Sequence, residues 1–286
     1  MADKPKKLAI QDIQATVAKG EPVFQITAVD YPTALAVDRA GIEFILVGDS
    51  LGMTALGLDG TVSVTMDMMI HHAKAVSRAA NRAIVIGDLP FGAYHASTAQ
   101  AVDNAVRLMK EGACDMVKLE GGEDFTDKIQ AIMRAGIPVM GHIGLTPQTV
   151  SKLGGFKVQG KDVATSLQLI RDAKALEKAG ACAMVLEAIP DRIAKLITET
   201  VSIPTMGIGA GPDCDGQVLV LADMIGMFDR FTPRFVKQYC KVGEQITNAM
   251  TSFMEDVRTS QFPLAEHCFS IKDEQYEAVV EALKGT

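Results

Sequence analysis

Four acidic residues of this chain stand in the same local setting. Asp49 follows the apolar run Phe44–Gly48, Asp88 follows Ala83–Gly87, Glu120 follows Met116–Leu119, and Glu187 follows Ala183–Leu186. A carboxylate at the end of an apolar run borders a core, where an unpaired charge is costly. Several such groups converging on one place repel one another, which favours their protonated forms. A divalent cation removes both penalties. Carboxylate oxygens suit a hard ion such as Mg²⁺, which keeps several waters and leaves room for substrate oxygens. For a single acid, a helix cap or an ion pair explains the position as well. Four at equivalent positions favour a shared site.

Lys118 lies two residues before Glu120, a spacing that puts both side chains on one face of a strand. It either forms a simple ion pair or neutralises charge developing on a substrate, such as an enolate oxygen. His142 ends the run Pro138–His142, either as a core histidine or as a partner backing the acids. His71 and His72 are adjacent in a helical pattern, face different directions and read as structural. The run Gly207-Ile208-Gly209-Ala210-Gly211 could bring backbone N–H groups to an anion, but Gly-rich turns are common and this one does not mark a site by itself.

The acids need strands to carry them. Eight short apolar runs qualify: Phe24–Val29, Phe44–Gly48, Ala83–Gly87, Met116–Leu119, Pro138–His142, Ala183–Leu186, Pro204–Ile208 and Val218–Ala222. They lack the alternation of half-exposed strands, as expected for parallel strands buried on both faces. Helical patterns separate them, at about 33–40, 66–80, 98–111, 124–135, 161–179 and 190–200. Ser97-x-x-Gln100 reads as a capping box opening one helix. Ala40-Gly41, Glu111-Gly112, Ala135-Gly136 and Ala179-Gly180 read as helix ends in which Gly takes the left-handed conformation. From Gly41, Gly112 and Gly180 the next strand closes on Asp49, Glu120 and Glu187; from Gly136 it closes on His142. This repeat of one βα unit predicts a (β/α)₈ TIM barrel, whose active-site face lies at the carboxyl ends of the strands. The 286 residues read as a single barrel domain with an N-terminal helical segment and a C-terminal helical tail, helical over Phe235–Glu255 and Asp273–Lys284.

Composition narrows the partners. The net charge of −7 argues against nucleic acid, which rewards cationic proteins through counterion release. No apolar stretch reaches the length of a membrane span, and the lysines Lys4, Lys6 and Lys7 read as a solvated N-terminus. The chain has no Trp, so Val, Ile, Leu, Ala and its 15 Met must fill the core. Five cysteines, an odd number without CxxC spacing, argue against disulfides or zinc and for a reducing, cytoplasmic setting.

Six segments, in order, resemble the ketopantoate hydroxymethyltransferase family: Val47-Gly48-Asp49-Ser50-Leu51-Gly52-Met53, Asp88-Leu89-Pro90-Phe91-Gly92, Val117-Lys118-Leu119-Glu120-Gly121-Gly122, Gly141-His142-Ile143-Gly144-Leu145-Thr146-Pro147-Gln148, Gly207-Ile208-Gly209-Ala210-Gly211 and Asp215-Gly216-Gln217-Val218-Leu219-Val220. The resemblance runs from about Thr27 to Tyr239. It implies a barrel like those of the phosphoenolpyruvate/pyruvate superfamily. It implies transfer of a hydroxymethyl group from 5,10-methylenetetrahydrofolate to the α-keto acid 3-methyl-2-oxobutanoate, the first step of pantothenate synthesis. It also implies Mg²⁺ on Asp49, Asp88 and Glu120, keto-acid contacts from Asp49, Ser50, Asp88 and Lys118, Glu187 as general base, and a homo-oligomer, often a decamer. The rivals are a Mg²⁺ enzyme of the phosphoenolpyruvate mutase and isocitrate lyase type and a non-catalytic metabolite-binding barrel. The absence of a cysteine run after KLEGG counts against the first; Glu187, a base opposite the acids, counts against the second.

Overall fold

The computed structural model describes residues 6–285; Lys4 of the expected N-terminal cluster lies outside them. Eight parallel strands close into a barrel in sequence order. They are β1 (Val23–Thr27), β2 (Phe44–Val47), β3 (Ile84–Asp88), β4 (Met116–Lys118), β5 (Val139–Gly144), β6 (Ala183–Glu187), β7 (Thr205–Ile208) and β8 (Gly216–Leu219). All eight expected strands form. The last begins and ends earlier than expected, because Leu221 and Ala222 already belong to a short helix.

The helices are α1 (Ile10–Ala18), α2 (Tyr31–Arg39), α3 (Leu51–Thr54), α4 (Met66–Ala79), α5 (Thr98–Lys110), α6 (Thr126–Arg134), α7 (Val150–Leu153), α8 (Val163–Ala179), α9 (Asp191–Thr200), α10 (Leu221–Met224), α11 (Val242–Arg258) and α12 (Asp273–Lys284). Local chemistry sets their starts. Asp30 accepts the Thr33 N–H at 2.9 Å, Asp162 accepts the Thr165 N–H at 2.9 Å, and Ser97 accepts the Gln100 N–H at 3.1 Å. Each such cap satisfies an N–H that the helix leaves free. The expected capping box at α5 is only half made, since Gln100 reaches back to the N–H of Ala96 rather than of Ser97. Of the four expected glycine helix ends, Gly41, Gly136 and Gly180 have positive φ. After α5 it is Ala113 that takes the left-handed conformation, at φ 55°. Gly112 is needed for space: a Cβ there would lie 2.6 Å from the Leu108 carbonyl oxygen.

The strand register stacks the inward side chains in layers contributed by alternate strands. Phe44, Met116 and Ala183 form one layer, and Gln25, Ile86, Met140 and Met206 the next. Above them come Leu46, Lys118, Val185 and Val218, then Thr27, Asp88, His142 and Ile208, and at the mouth Gly48, Glu120 and Glu187. The lower layers are almost wholly apolar. The floor is closed by α1, whose buried Ile13 packs on this inner core with Leu8, Ile10 and Val17. Lys7 is not merely solvated: its Nζ donates to the Ala83 carbonyl at 2.6 Å and pairs with Asp115 at 2.8 Å, pinning the segment to the start of β3. A second, larger core fills the space between the sheet and the surrounding helices.

Contacts divide the chain into two compact units, the barrel through Tyr239 and a second from Cys240. The second holds α11 and α12. The helix expected from Phe235 begins only at Val242, and it carries an exposed apolar stripe of Ile246, Met250, Phe253 and Val257. Cys114, Cys182, Cys214 and Cys268 are free thiols. Among the described residues no helix is long and apolar enough to cross a membrane.

Candidate active site

The register carries Asp88, Lys118, His142 and Glu187 to the carboxyl-terminal mouth, and Asp49 and Glu120 each stand two residues past the ends of β2 and β4. Asp49, Asp88, Lys118, Glu120 and His142 are all buried, 4% exposed or less. They form one connected cluster. The Asp49 N–H donates to Asp88 Oδ2 at 3.0 Å. Lys118 Nζ donates to Asp88 Oδ1 at 2.6 Å and lies 3.9 Å from Glu120 Oε1. His142 stands between two acids, with Nδ1 3.4 Å from Glu120 Oε1 and Nε2 3.2 Å from Glu187 Oε2. Glu187 is the more accessible partner, with its side chain 16% exposed. Ser50 sits just above. A Cβ on Gly48 would lie 3.1 Å from Ser50 Oγ and 3.5 Å from Asp88 Oδ2, so this glycine keeps open the space between them.

Two residues at the centre of the cluster are not among the expected site residues. Gln148, in the turn after β5, donates through Nε2 to Asp49 Oδ2 at 2.8 Å and to the Leu89 carbonyl at 3.0 Å. Its backbone N–H donates to Glu120 Oε2 at 3.0 Å. Tyr94, buried in the loop after β3, donates its hydroxyl proton to Gln148 Oε1 at 2.8 Å and accepts the Glu120 N–H at 3.2 Å. Neither bears a charge at neutral pH, so only the motif carrying Gln148 hinted at it.

The electrostatics follow from this packing. Burial, reinforced by the charges of Asp88 and Glu120, raises Asp49 well above the usual carboxylate range. Burial raises Asp88 too, against the opposing charge of Lys118. For Glu120, burial acts upward, but contact with His142 and the charge of Lys118 outweigh it and hold it low. His142 is pushed up to about 9: burial opposes its charge, and Glu120 and Glu187 more than compensate. Burial lowers Lys118, yet the surrounding acids leave it above its ordinary value.

Four carboxylates therefore meet two cationic groups, which leaves two uncompensated, and Asp49 is raised well above its ordinary value by burial and its like-charged neighbours. Its Oδ1 accepts no hydrogen bond from any described residue, whereas Oδ2 is tied to Gln148. Among the described residues no three His, Cys, Asp or Glu side chains form a ready-made metal cage, and Glu120 is already engaged by Gln148, His142 and Lys118. An uncompensated oxygen-donor set with few free ligands, beside the open space over Gly48, fits an ion that takes one or two carboxylates and retains water, as Mg²⁺ does.

The other sequence features have structural explanations. His72 Nδ1 is 2.6 Å from the Val29 carbonyl, and His71 packs edge-on against His72. In the Gly207–Gly211 run, a Cβ would lie 2.7 Å from the Phe235 ring at Gly209 and 2.4 Å from Asp191 Cβ at Gly211, so close packing requires both glycines. Glu120 also lines a cavity of about 360 Å³ between the loops after β4 and β5, with Phe125, Thr146, Lys152, Gln159 and Asp172.

Residues 7–265 match the family model described as ketopantoate hydroxymethyltransferase. Among curated relatives, the 3-methyl-2-oxobutanoate hydroxymethyltransferase of Enterococcus faecalis is 54% identical over 91% of this chain and 94% of its own. That of Syntrophomonas wolfei is 54% identical over 89% and 92%. Among solved structures, a phosphonopyruvate hydrolase in complex with oxalate and Mg²⁺ is similar in fold, with a TM-score of 0.59 at 14% identity over 96% of each chain. A 2,3-dimethylmalate lyase of the PEP mutase/isocitrate lyase superfamily has a TM-score of 0.59 at 15% identity over 98% of this chain and 97% of its own. At that identity the likeness speaks for the barrel alone, whereas the relatives sharing half the sequence decide the family: the chain belongs to the ketopantoate hydroxymethyltransferases.

Proposed function

We propose that this chain transfers a hydroxymethyl group from 5,10-methylenetetrahydrofolate to 3-methyl-2-oxobutanoate, giving ketopantoate. The observation carrying this reading is the pairing of two unlike halves across one mouth. On one side lie the oxygen donors Asp49, Asp88 and Glu120 with Lys118. On the other lies the more accessible Glu187, joined to the first side by His142.

Asp49 and Asp88, with Glu120 beside them, would hold Mg²⁺. When bound there, the ion supplies Lewis-acid polarisation of the keto oxygen, which makes the C3 proton removable. Lys118 presents positive charge where negative charge develops on the substrate. Ser50 offers its hydroxyl to the keto acid at the open space above Gly48. Glu187 takes the C3 proton, and His142 fixes the carboxylate that does so. The resulting carbanion equivalent attacks the folate's one-carbon unit at the formaldehyde oxidation level. Water supplies the hydroxyl oxygen, the two C–N bonds to the one-carbon unit break, and tetrahydrofolate leaves. The cavity between the β4 and β5 loops, with aromatic Phe125, amide Gln159 and cationic Lys152, suits the folate. The apolar stripe on α11 suits assembly with further copies of this chain into a homo-oligomer, measurable by light scattering.

The test is deuterium exchange at C3 of 3-methyl-2-oxobutanoate, which needs no folate. Wild type should exchange with Mg²⁺ and not with chelator. Glu187→Gln should bind the keto acid normally and lose exchange by roughly 10²-fold or more. No Mg²⁺-dependent exchange in wild type would overturn the reading.

A further inference from the structure

Gln148 ties the ends of three strands together. Through Nε2 it reaches Asp49, after β2, and the carbonyl of Leu89, after β3; through its backbone N–H it reaches Glu120, after β4. It does so from the turn after β5, in a side chain 3% exposed. Its amide orientation is not free. Two acceptors, Asp49 Oδ2 and the Leu89 oxygen, face one end and require the NH₂ there. The other end then presents Oε1 to the Tyr94 hydroxyl at 2.8 Å. Tyr94 is itself fully buried, packed edge-on against Phe125, and fixed by the backbone of Glu120.

We propose that Gln148, oriented by its two acceptors and held at Oε1 by the Tyr94 hydroxyl, is the positioning residue of the cation site. It occupies Asp49 Oδ2 so that Oδ1 alone is offered to an ion, and it holds Glu120 by Oε2 at the correct distance behind. This inference rests on the cation site proposed above and extends it: the donors are aligned by a neutral amide from a loop rather than by the strands alone. A carboxylate on an unbraced side chain can rotate or turn both oxygens inward, and it then binds an ion in several poor geometries. Outer partners that orient ligands typically account for about 10- to 100-fold in metal affinity.

The experiment measures Mn²⁺ binding to the full chain by loss of the free-ion paramagnetic resonance signal, together with thermal unfolding. Gln148→Ala should weaken Mn²⁺ by about 10- to 100-fold. Gln148→Met, which keeps the volume, should weaken it equally and serves if the alanine variant does not fold. Tyr94→Phe, which removes only the hydroxyl, should weaken it by a smaller factor. The decisive readout is the double variant. If Tyr94 acts through Gln148, then Tyr94→Phe with Gln148→Met binds no worse than Gln148→Met alone, within about twofold, because the coupled pair is non-additive. Independent, multiplying losses would overturn the proposal, since a general packing defect adds in that way. So would Mn²⁺ affinity equal to wild type in a folded Gln148→Met protein. If wild type itself binds no Mn²⁺, the cation site fails, and that result is distinct from failure of the brace.

Discussion

Replacing Lys118 by Met tests the charge balance of the site directly. The substitution keeps an unbranched chain of similar length in a position 4% exposed and removes only the ammonium. That ammonium lies 2.6 Å from Asp88 and 3.9 Å from Glu120. At 4 Å and an effective dielectric constant of about 20, one such attraction amounts to about 4 kcal/mol. Removing one partner of a buried pair costs about 3–5 kcal/mol by mutational precedent. The two estimates agree, so Lys118→Met should lose about 3–5 kcal/mol near pH 8 in the presence of chelator. The loss should depend on pH. Burial already raises Asp88, and Lys118 is what opposes that rise; without it the carboxyl climbs further. A carboxyl raised in the folded state binds protons that the unfolded chain does not, so folding becomes more favourable as pH falls through the folded pKa, down to the ordinary carboxylate range. One extra proton gives a slope of up to about 1.4 kcal/mol per pH unit. Lys118 itself stays charged throughout and adds no slope. Urea unfolding in chelator at about pH 5.5, 7 and 8.5 reads both effects. A deficit under about 1 kcal/mol at high pH, or one identical at both ends of the range, would refute the reasoning.

Asp49→Ala and Asp88→Ala should each cut Mg²⁺-dependent turnover by roughly 10²-fold or more with the barrel intact by circular dichroism; wild-type turnover in both variants would remove them from the ion. Gln25 is wholly buried among Ile86, Met140 and Met206, with neither amide atom hydrogen-bonded. Gln25→Met should therefore gain about 1–2 kcal/mol in urea unfolding, and a loss would mean the amide has a partner such as a bound water. Burial pushes Asp223 up to about 6 from 3.8. Its cost is absent below the lower value, grows as pH rises between the two, and is complete above the upper. The ceiling of roughly 3 kcal/mol is about halved by its partial solvent contact. Asp223→Asn should accordingly stabilise by about 1–2 kcal/mol at pH 8 and by almost nothing at pH 4, whereas an equal gain at both would point to a cause other than charge.

The acids and the barrel were legible because both follow from local rules. Buried parallel strands are short, apolar and separated by helices, and Asp88, Glu120 and Glu187 mark where each apolar run meets the mouth. Lys118 was placed by the two-residue period of a strand, and the structure puts it on the same inward face as Glu120. Other features depend on partners remote in sequence. Lys7 looked like a solvated charge because Ala83 and Asp115, which hold it, are not its neighbours along the chain. Gly112 looked like a left-handed helix end, but its glycine is demanded by the Leu108 carbonyl. The extent of the second unit was also hidden, since nothing in the composition between Arg230 and Val242 marks the helix start at Val242 rather than Phe235.

The same contrast explains how the site is built. Stepped register sets the depth of each charged group. Lys118 lies in the layer with Leu46, Val185 and Val218, Asp88 and His142 lie one layer higher, and Glu120 and Glu187 stand at the mouth. The deepest charge is thus positive and apolar below, so its field is satisfied only upward, by the acids it faces. Register alone leaves each carboxylate free to rotate, however, and a divalent ion discriminates between rotamers. The fine alignment must come from elements that register does not control. In this chain that element is the turn after β5, where a neutral glutamine, oriented by the acceptors Asp49 and Leu89, ties Asp49 to Glu120 while the Tyr94 hydroxyl holds its amide oxygen. A residue with no charge and no periodic position acquires its role only once four strand ends meet.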